Sequence, residues 1–141
     1  MLEQKVREIM TPNPVCLPAS ATVVEAAEQM RANNIGDVLV VDGMALTGIV
    51  TDRDLVVRAI APGLDPRTTR LAEVTSPGWV AVGPDDSVDD AVQLMRDNAL
   101  RRLPVTNERQ EVMGVVTLGD LAMEQDPHSA LSEISEAPPN K

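Results

Sequence analysis

The chain has no phenylalanine and no tyrosine, and only one tryptophan (Trp79), one cysteine (Cys16) and one histidine (His128) among its 141 residues. Each shortage removes a class of function. Readers of single-stranded nucleic acid stack bases on aromatic rings, and here Trp79 alone could serve. Basic residues are scarce too: 12 Lys and Arg face 22 Asp and Glu, a net charge of −10. Neutralising a phosphate backbone needs the opposite balance, so nucleic acid is not expected as a partner. A single cysteine cannot close an intramolecular disulfide and fits a reducing compartment. One Cys and one His cannot build a zinc site in one chain, so no metal site is expected. No G-x-S-x-G, P-loop or nucleophile–base pair is present, which points away from an enzyme and assigns no catalytic residue. No apolar run approaches the length of a membrane span. The opening MLEQKVREIM carries charges where a signal peptide would need an apolar stretch. The expectation is a cytoplasmic protein with no membrane partner.

What the chain does have is repetition. The octet GIVTDRDL at residues 48–55 returns as GVVTLGDL at residues 114–121, a displacement of 66 positions. Elsewhere the displacement is 65: Thr11-Pro12 becomes Ser76-Pro77, Thr22-Val23 becomes Ser87-Val88, Ala26 becomes Ala91, and Met30-Arg31 becomes Met95-Arg96. A one-residue difference between Asp42 and Gly48 accounts for the change. Two tandem copies of one unit fill most of the chain.

Each copy reads as strand, helix, strand, strand, helix. In the first, residues 15–17 form a short extended piece after an amphipathic lead-in over residues 2–10. Thr22 and Glu25 make a capping box ahead of Ala26, Ala27 and Met30 at helical spacing. Residues 38–41 are a continuous apolar run, and Asp42-Gly43 turns it into a returning strand over 46–51. A second helix starts near Asp52 and stops before Pro62-Gly63. Its apolar residues cover more than one face, which predicts a subunit interface. The second copy repeats the order: a helical turn over 71–74, a break at Ser76-Pro77-Gly78, extended chain over 79–82, a helix over 87–98, a hairpin around residues 107–110, and a closing helix to Gln125. The expected boundaries are 5–63 for the first unit, 64–70 for a crossover linker, 71–126 for the second unit, and 127–141 for an acidic, disordered tail.

Thr51-x-x-Asp54 and Thr117-x-x-Asp120 each sit where a strand runs into a helix. Capping alone explains that spacing, since a hydroxyl followed three residues later by a carboxylate satisfies the orphan amides of a helix start. The same geometry also suits a ligand. A helix start offers N–H groups and partial positive charge to a phosphate, and an aspartate in the first turn can accept from both hydroxyls of a ribose. Capping leaves unexplained why a glycine and two β-branched residues precede both copies.

Two tandem β-α-β-β-α units, each containing G-h-h-T-x-x-D-L (h, apolar), resemble a pair of CBS (cystathionine-β-synthase-type) domains, the Bateman module. The resemblance covers about residues 5–125. Residues 51–66, TDRDLVVRAIAPGLDP, further resemble small stand-alone bacterial two-CBS proteins of the hypoxic-response type. It implies an α/β (α+β) fold, with two units related by a pseudo-twofold axis and two ligand sites in a shared cleft. By the same resemblance Asp54 and Asp120 would meet ribose hydroxyls, and Thr51 and Thr117 would lie near phosphate. Ile35-Gly36-Asp37 and Leu100-Arg101-Arg102 would frame the base, and Val15 and Val80 would form apolar walls. Arg101 and Arg102 would supply cations to a phosphate, or are surface charges balancing nearby acids. Arg53, a further candidate contact, precedes Asp54 where Gly119 precedes Asp120, and Asp37 in the first copy repels a phosphate, so the two sites are expected to be unequal. The implied function is regulatory: no covalent cofactor, AMP, ADP, ATP or S-adenosylmethionine as the sensed ligand, a homodimer, and an output through a separate effector protein. The alternative is a ligand-free structural or stress homodimer working through protein–protein contact.

Overall fold

The computed structural model describes residues 4–75 and 79–125. The break expected at Ser76-Pro77-Gly78, the tail expected to be disordered and His128 lie outside the described residues. The chain divides into two compact units. One holds the residues up to Asn13 together with those from Val80 onward, and the other is Pro14–Trp79.

The lead-in is a 3-10 turn (Val6–Glu8) followed by the two-residue strand β1 (Thr11–Pro12). The unit Pro14–Trp79 then contains β2 (Cys16–Pro18), helix α1 (Val23–Asn33), β3 (Asp37–Asp42) and β4 (Ala45–Thr51). Helix α2 (Asp52–Asp54) runs on with wider π winding through Leu55–Ile60, and α3 (Leu71–Val74) closes the unit. Thr22 caps α1, its Oγ1 accepting from the Glu25 amide at 3.2 Å, and Asn34 ends the helix in the left-handed region at φ 54°. β2 pairs parallel with β3, as a strand–helix–strand crossover requires, and β3 pairs antiparallel with β4. Gly43, at φ +65°, makes the tight turn between them. Val23, Ala26 and Met30 from α1 pack on Val38, Val40 and Val50 from the sheet, and Leu71 and Val74 from α3 complete this core.

The other unit repeats the plan. Helix α4 (Val88–Asn98) is capped by Ser87, whose Oγ accepts from the Asp90 amide at 3.0 Å. β5 (Arg102–Thr106) and β6 (Val112–Thr117) form an antiparallel hairpin, and α5 (Leu118–Gln125) follows. The hairpin loop is held by Asn107, whose Oδ1 accepts from the amides of Arg109 and Glu111 at 2.9 and 3.0 Å. The extended stretch expected over 79–82 reduces to one bridge, Val82 to Val105. Gly83-Pro84 turns the chain away there, and proline has no N–H to carry a ladder onward. The sheet order is β1-β6-β5, so the lead-in strand lies beside β6, with Thr11 opposite Val115.

The lead-ins of the two sequence repeats are exchanged, bond for bond. Val6 N–H donates to the Asp86 carbonyl and Arg7 N–H to the Pro84 carbonyl, both at 2.9 Å, and Gln4 accepts from Val88 N–H at 2.9 Å. At positions 65 residues away, Leu71 N–H donates to Ala21 (2.8 Å), Ala72 N–H to Ala19 (3.1 Å), and Thr69 accepts from Val23 N–H (2.9 Å). Lys5 and Arg70 each close a cap with the Glu three residues on, at 2.6 and 2.8 Å. The compact units therefore cut across the repeat boundaries at 5–63 and 71–126: residues 5–12 complete the second repeat, and α3 completes the first. The expected linker at 64–70 is bonded down, with Thr69 buried and the Pro66 carbonyl accepting from Val24 N–H at 3.0 Å.

This exchange explains the glycine that opens each octet. A Cβ built on Gly48 would stand 2.4 Å from Thr75 Cγ2, and one on Gly114 would stand 2.7 Å from the Thr11 carbonyl oxygen. Both glycines make room for an exchanged lead-in.

Candidate functional site

Each closing strand hands over to its helix through the same reciprocal pair. At the first junction Asp54 N–H donates to Thr51 Oγ1 at 3.1 Å, and Thr51 N–H donates to Asp54 Oδ2 at 2.9 Å. At the second, Asp120 N–H donates to Thr117 Oγ1 at 3.0 Å and Thr117 N–H to Asp120 Oδ2 at 2.9 Å. The capping reading is thus realised in full. It engages one carboxylate oxygen, Oδ2, of each aspartate.

The start of the middle strand is bound to the same junction. Asp52 N–H donates to the Gly36 carbonyl at 2.9 Å, and Leu118 N–H donates to the Arg101 carbonyl at 2.8 Å. Asp37 sits opposite Thr51 in the β3–β4 ladder, and Arg102 opposite Thr117 in the β5–β6 ladder. The structure therefore brings Gly36, Asp37, Thr51 and Asp54 together, and likewise Arg101, Arg102, Thr117 and Asp120. Arg53 is exposed beside Asp54. Ile35 and Leu100 lie one residue upstream of Gly36 and Arg101; Ile35 packs on the core of its unit, and Leu100 is exposed. Val15 and Val80 are partly buried against the cores of their units, so each has a packing role.

Two differences separate the junctions. Asp52 occupies the first position of α2, where its Oδ1 accepts from Arg53 N–H at 2.8 Å, and its Oδ2 lies 3.1 Å from where a Cβ on Gly36 would be. A carboxylate thus already sits at that positive helix start. The corresponding residue of the second repeat is Leu118, and the Gly119 N–H has no partner among the described residues. In addition, Arg58 Nε approaches Asp54 Oδ1 at 3.7 Å, whereas Asp120 Oδ1 and the Arg101 guanidinium have no partner among the described residues. Sequence reasoning passed over Asp52; the signal available to it was the mismatch TDRD against TLGD inside an otherwise matched octet.

Cys16 is half-buried and bonded through Sγ to the Pro14 carbonyl at 3.5 Å. Burial pushes its thiol pKa above the ordinary range by desolvating the thiolate. Among the described residues no group of three or more His, Cys, Asp or Glu could hold a metal ion, and no helix is long and apolar enough to cross a membrane.

The CBS domain family model matches residues 6–60 and again 71–126. The chain belongs to the CBS domain family and carries two copies of the domain. It is 41% identical over 138 residues to Uncharacterized protein YlbB of Bacillus subtilis, covering 94% of this chain and 92% of that protein. Hypoxic response protein 1 of Mycobacterium tuberculosis is 32% identical over 129 residues, covering 91% of this chain and 90% of that protein. A crystal structure of Hypoxic Response Protein I with two coordinated zinc ions superposes with a TM-score of 0.78 at 32% identity, over 84% of this chain and 97% of that one. CBSX2 in complex with AMP shares the fold, with a TM-score of 0.76 at 23% identity over 86% of this chain and 96% of that one.

Proposed function

We propose that this chain is a regulatory nucleotide-sensing module that binds an adenine nucleotide or an S-adenosyl compound at its Thr–Asp junctions and acts through a partner protein. The observation that carries the reading is the second junction: on its strand-to-helix turn Asp120 Oδ1 and the Gly119 N–H are without partners among the described residues, and so is the guanidinium of Arg101, whose carbonyl, just before β5, accepts from Leu118 N–H at 2.8 Å. These are an acceptor for a ribose diol, a helix-start donor and a cation for a phosphate. The complex of CBSX2 with AMP, in a protein of the same fold, supports the reading. The first junction is the weaker site, because the Asp52 carboxylate stands where a phosphate would and Arg58 faces Asp54. A nucleoside monophosphate has about 23 heavy atoms, and a return of about 0.3 kcal/mol per atom gives a dissociation constant near the micromolar range, suited to sensing.

The module works as a homodimer in this reading. Val56, Val57 and Ile60 on the π-wound helix are all about half exposed, as a face awaiting a second copy would be. A ligand-free structural homodimer is the second reading, favoured by the closure of both Thr–Asp pairs on themselves. Thermal shift with AMP, ADP, ATP and S-adenosylmethionine separates the two. The sensing reading expects at least one to raise the melting temperature of wild type and to leave Asp120→Ala unmoved. No shift with any of the four leaves the structural reading standing.

A further inference from the structure

The exchange of lead-ins sets each closing strand, which ends at a junction, against a segment from the other sequence repeat. Strand β6 is flanked by β1 on one side and β5 on the other, and the Thr11 carbonyl and Met10 Sδ press on Gly114 from the lead-in. Val6 and Leu71, the anchors of the two lead-ins, are fully buried in the cores that they complete. Thr75, at the end of α3, presses on Gly48 in β4 and is held by its own Oγ1–H donating to the Leu71 carbonyl at 2.5 Å. β6 ends at Thr117 and β4 at Thr51, the caps of the two junctions.

We infer that the lead-ins are crossed clamps: residues 5–12 hold β6 and set the geometry of the Thr117–Asp120 junction, while residues 70–75 hold β4 and the Thr51–Asp54 junction. A change in either lead-in, such as the docking of another protein on it, is then read at the junction of the opposite sequence repeat. The clamp is a property of the fold alone. Its effect on nucleotide affinity rests on the proposed function, and the two are tested in separate arms.

The first arm is amide hydrogen exchange of the full chain without ligand, comparing Val6→Ala with Leu71→Ala. The clamp predicts that Val6→Ala speeds exchange over residues 112–117 by about tenfold or more and leaves residues 45–51 unchanged, with Leu71→Ala doing the reverse. Loosening of the strand in the same sequence repeat, equal loosening of both strands, or loosening of neither overturns it. Ile9→Val and Val74→Ala are milder truncations on the same lead-ins and carry the same comparison if the first pair does not fold. The second arm titrates AMP into the same proteins. Loss of affinity at the second junction in Val6→Ala but not in Leu71→Ala extends the clamp to ligand control. Crossed exchange with no AMP binding even by wild type keeps the clamp and removes the nucleotide.

Discussion

The carbonyl oxygen of Thr11 occupies the space that a side chain on residue 114 would need: a Cβ built on Gly114 would lie 2.7 Å from it. Backbone cannot rotate out of the way as a side chain can. Gly114→Ala is therefore expected to destabilise the protein by about 2 kcal/mol, within the usual cost of overpacking, measured by urea denaturation.

Gly48 faces the methyl of Thr75 rather than backbone, and a Cβ added to it would lie 2.4 Å from that methyl. Gly48→Ala is expected to destabilise in the same way, and Thr75→Ser is expected to restore most of the loss, since it removes the obstructing methyl and keeps the hydroxyl that donates to Leu71. Additive costs in the double mutant, measured as a cycle, would argue against this contact.

Ala99 ends α4 in the left-handed region at φ 54°, a conformation that costs a residue with a Cβ about 1 kcal/mol. Ala99→Gly is expected to raise the melting temperature, because the relief at this C-cap exceeds the added freedom of the unfolded chain. A lowered melting temperature would show that the cap is not the deciding feature.

Cys16 is expected to react slowly with iodoacetamide at pH 8, slower than the same thiol in denatured chain, because burial holds it protonated. The sign for stability follows. A thiol whose folded pKa lies above its unfolded one contributes fully below the ordinary thiol range, and that contribution is lost as the pH rises through it toward the folded value. Cys16→Ser should flatten this alkaline decline.

The fold is readable in the sequence because its signals are local. Duplication shows as matched residues at a fixed displacement, the caps at Thr22 and Ser87 show as hydroxyl–acid spacings, and Asp42-Gly43 marks its turn without outside help. The Thr–Asp junctions are legible for the same reason. The exchange of lead-ins is not, because residues 5–12 and 70–77 look alike and carry no mark of which copy they complete. The octet glycines stand out in the sequence, but their reason lies in Thr11 and Thr75, which reach them only in three dimensions. The inequality of the junctions is expected from Asp37 and Arg101-Arg102, yet Asp52 and Arg58, which bear on it most directly, act through contacts that spacing does not reveal.

Isothermal titration of AMP into wild type, Asp52→Leu, Leu118→Asp and Asp120→Ala tests the central claim most directly. One tight site per wild-type chain is predicted, with a second gained in Asp52→Leu and the tight site lost in Leu118→Asp and Asp120→Ala. An isotherm unchanged across all four proteins would contradict it.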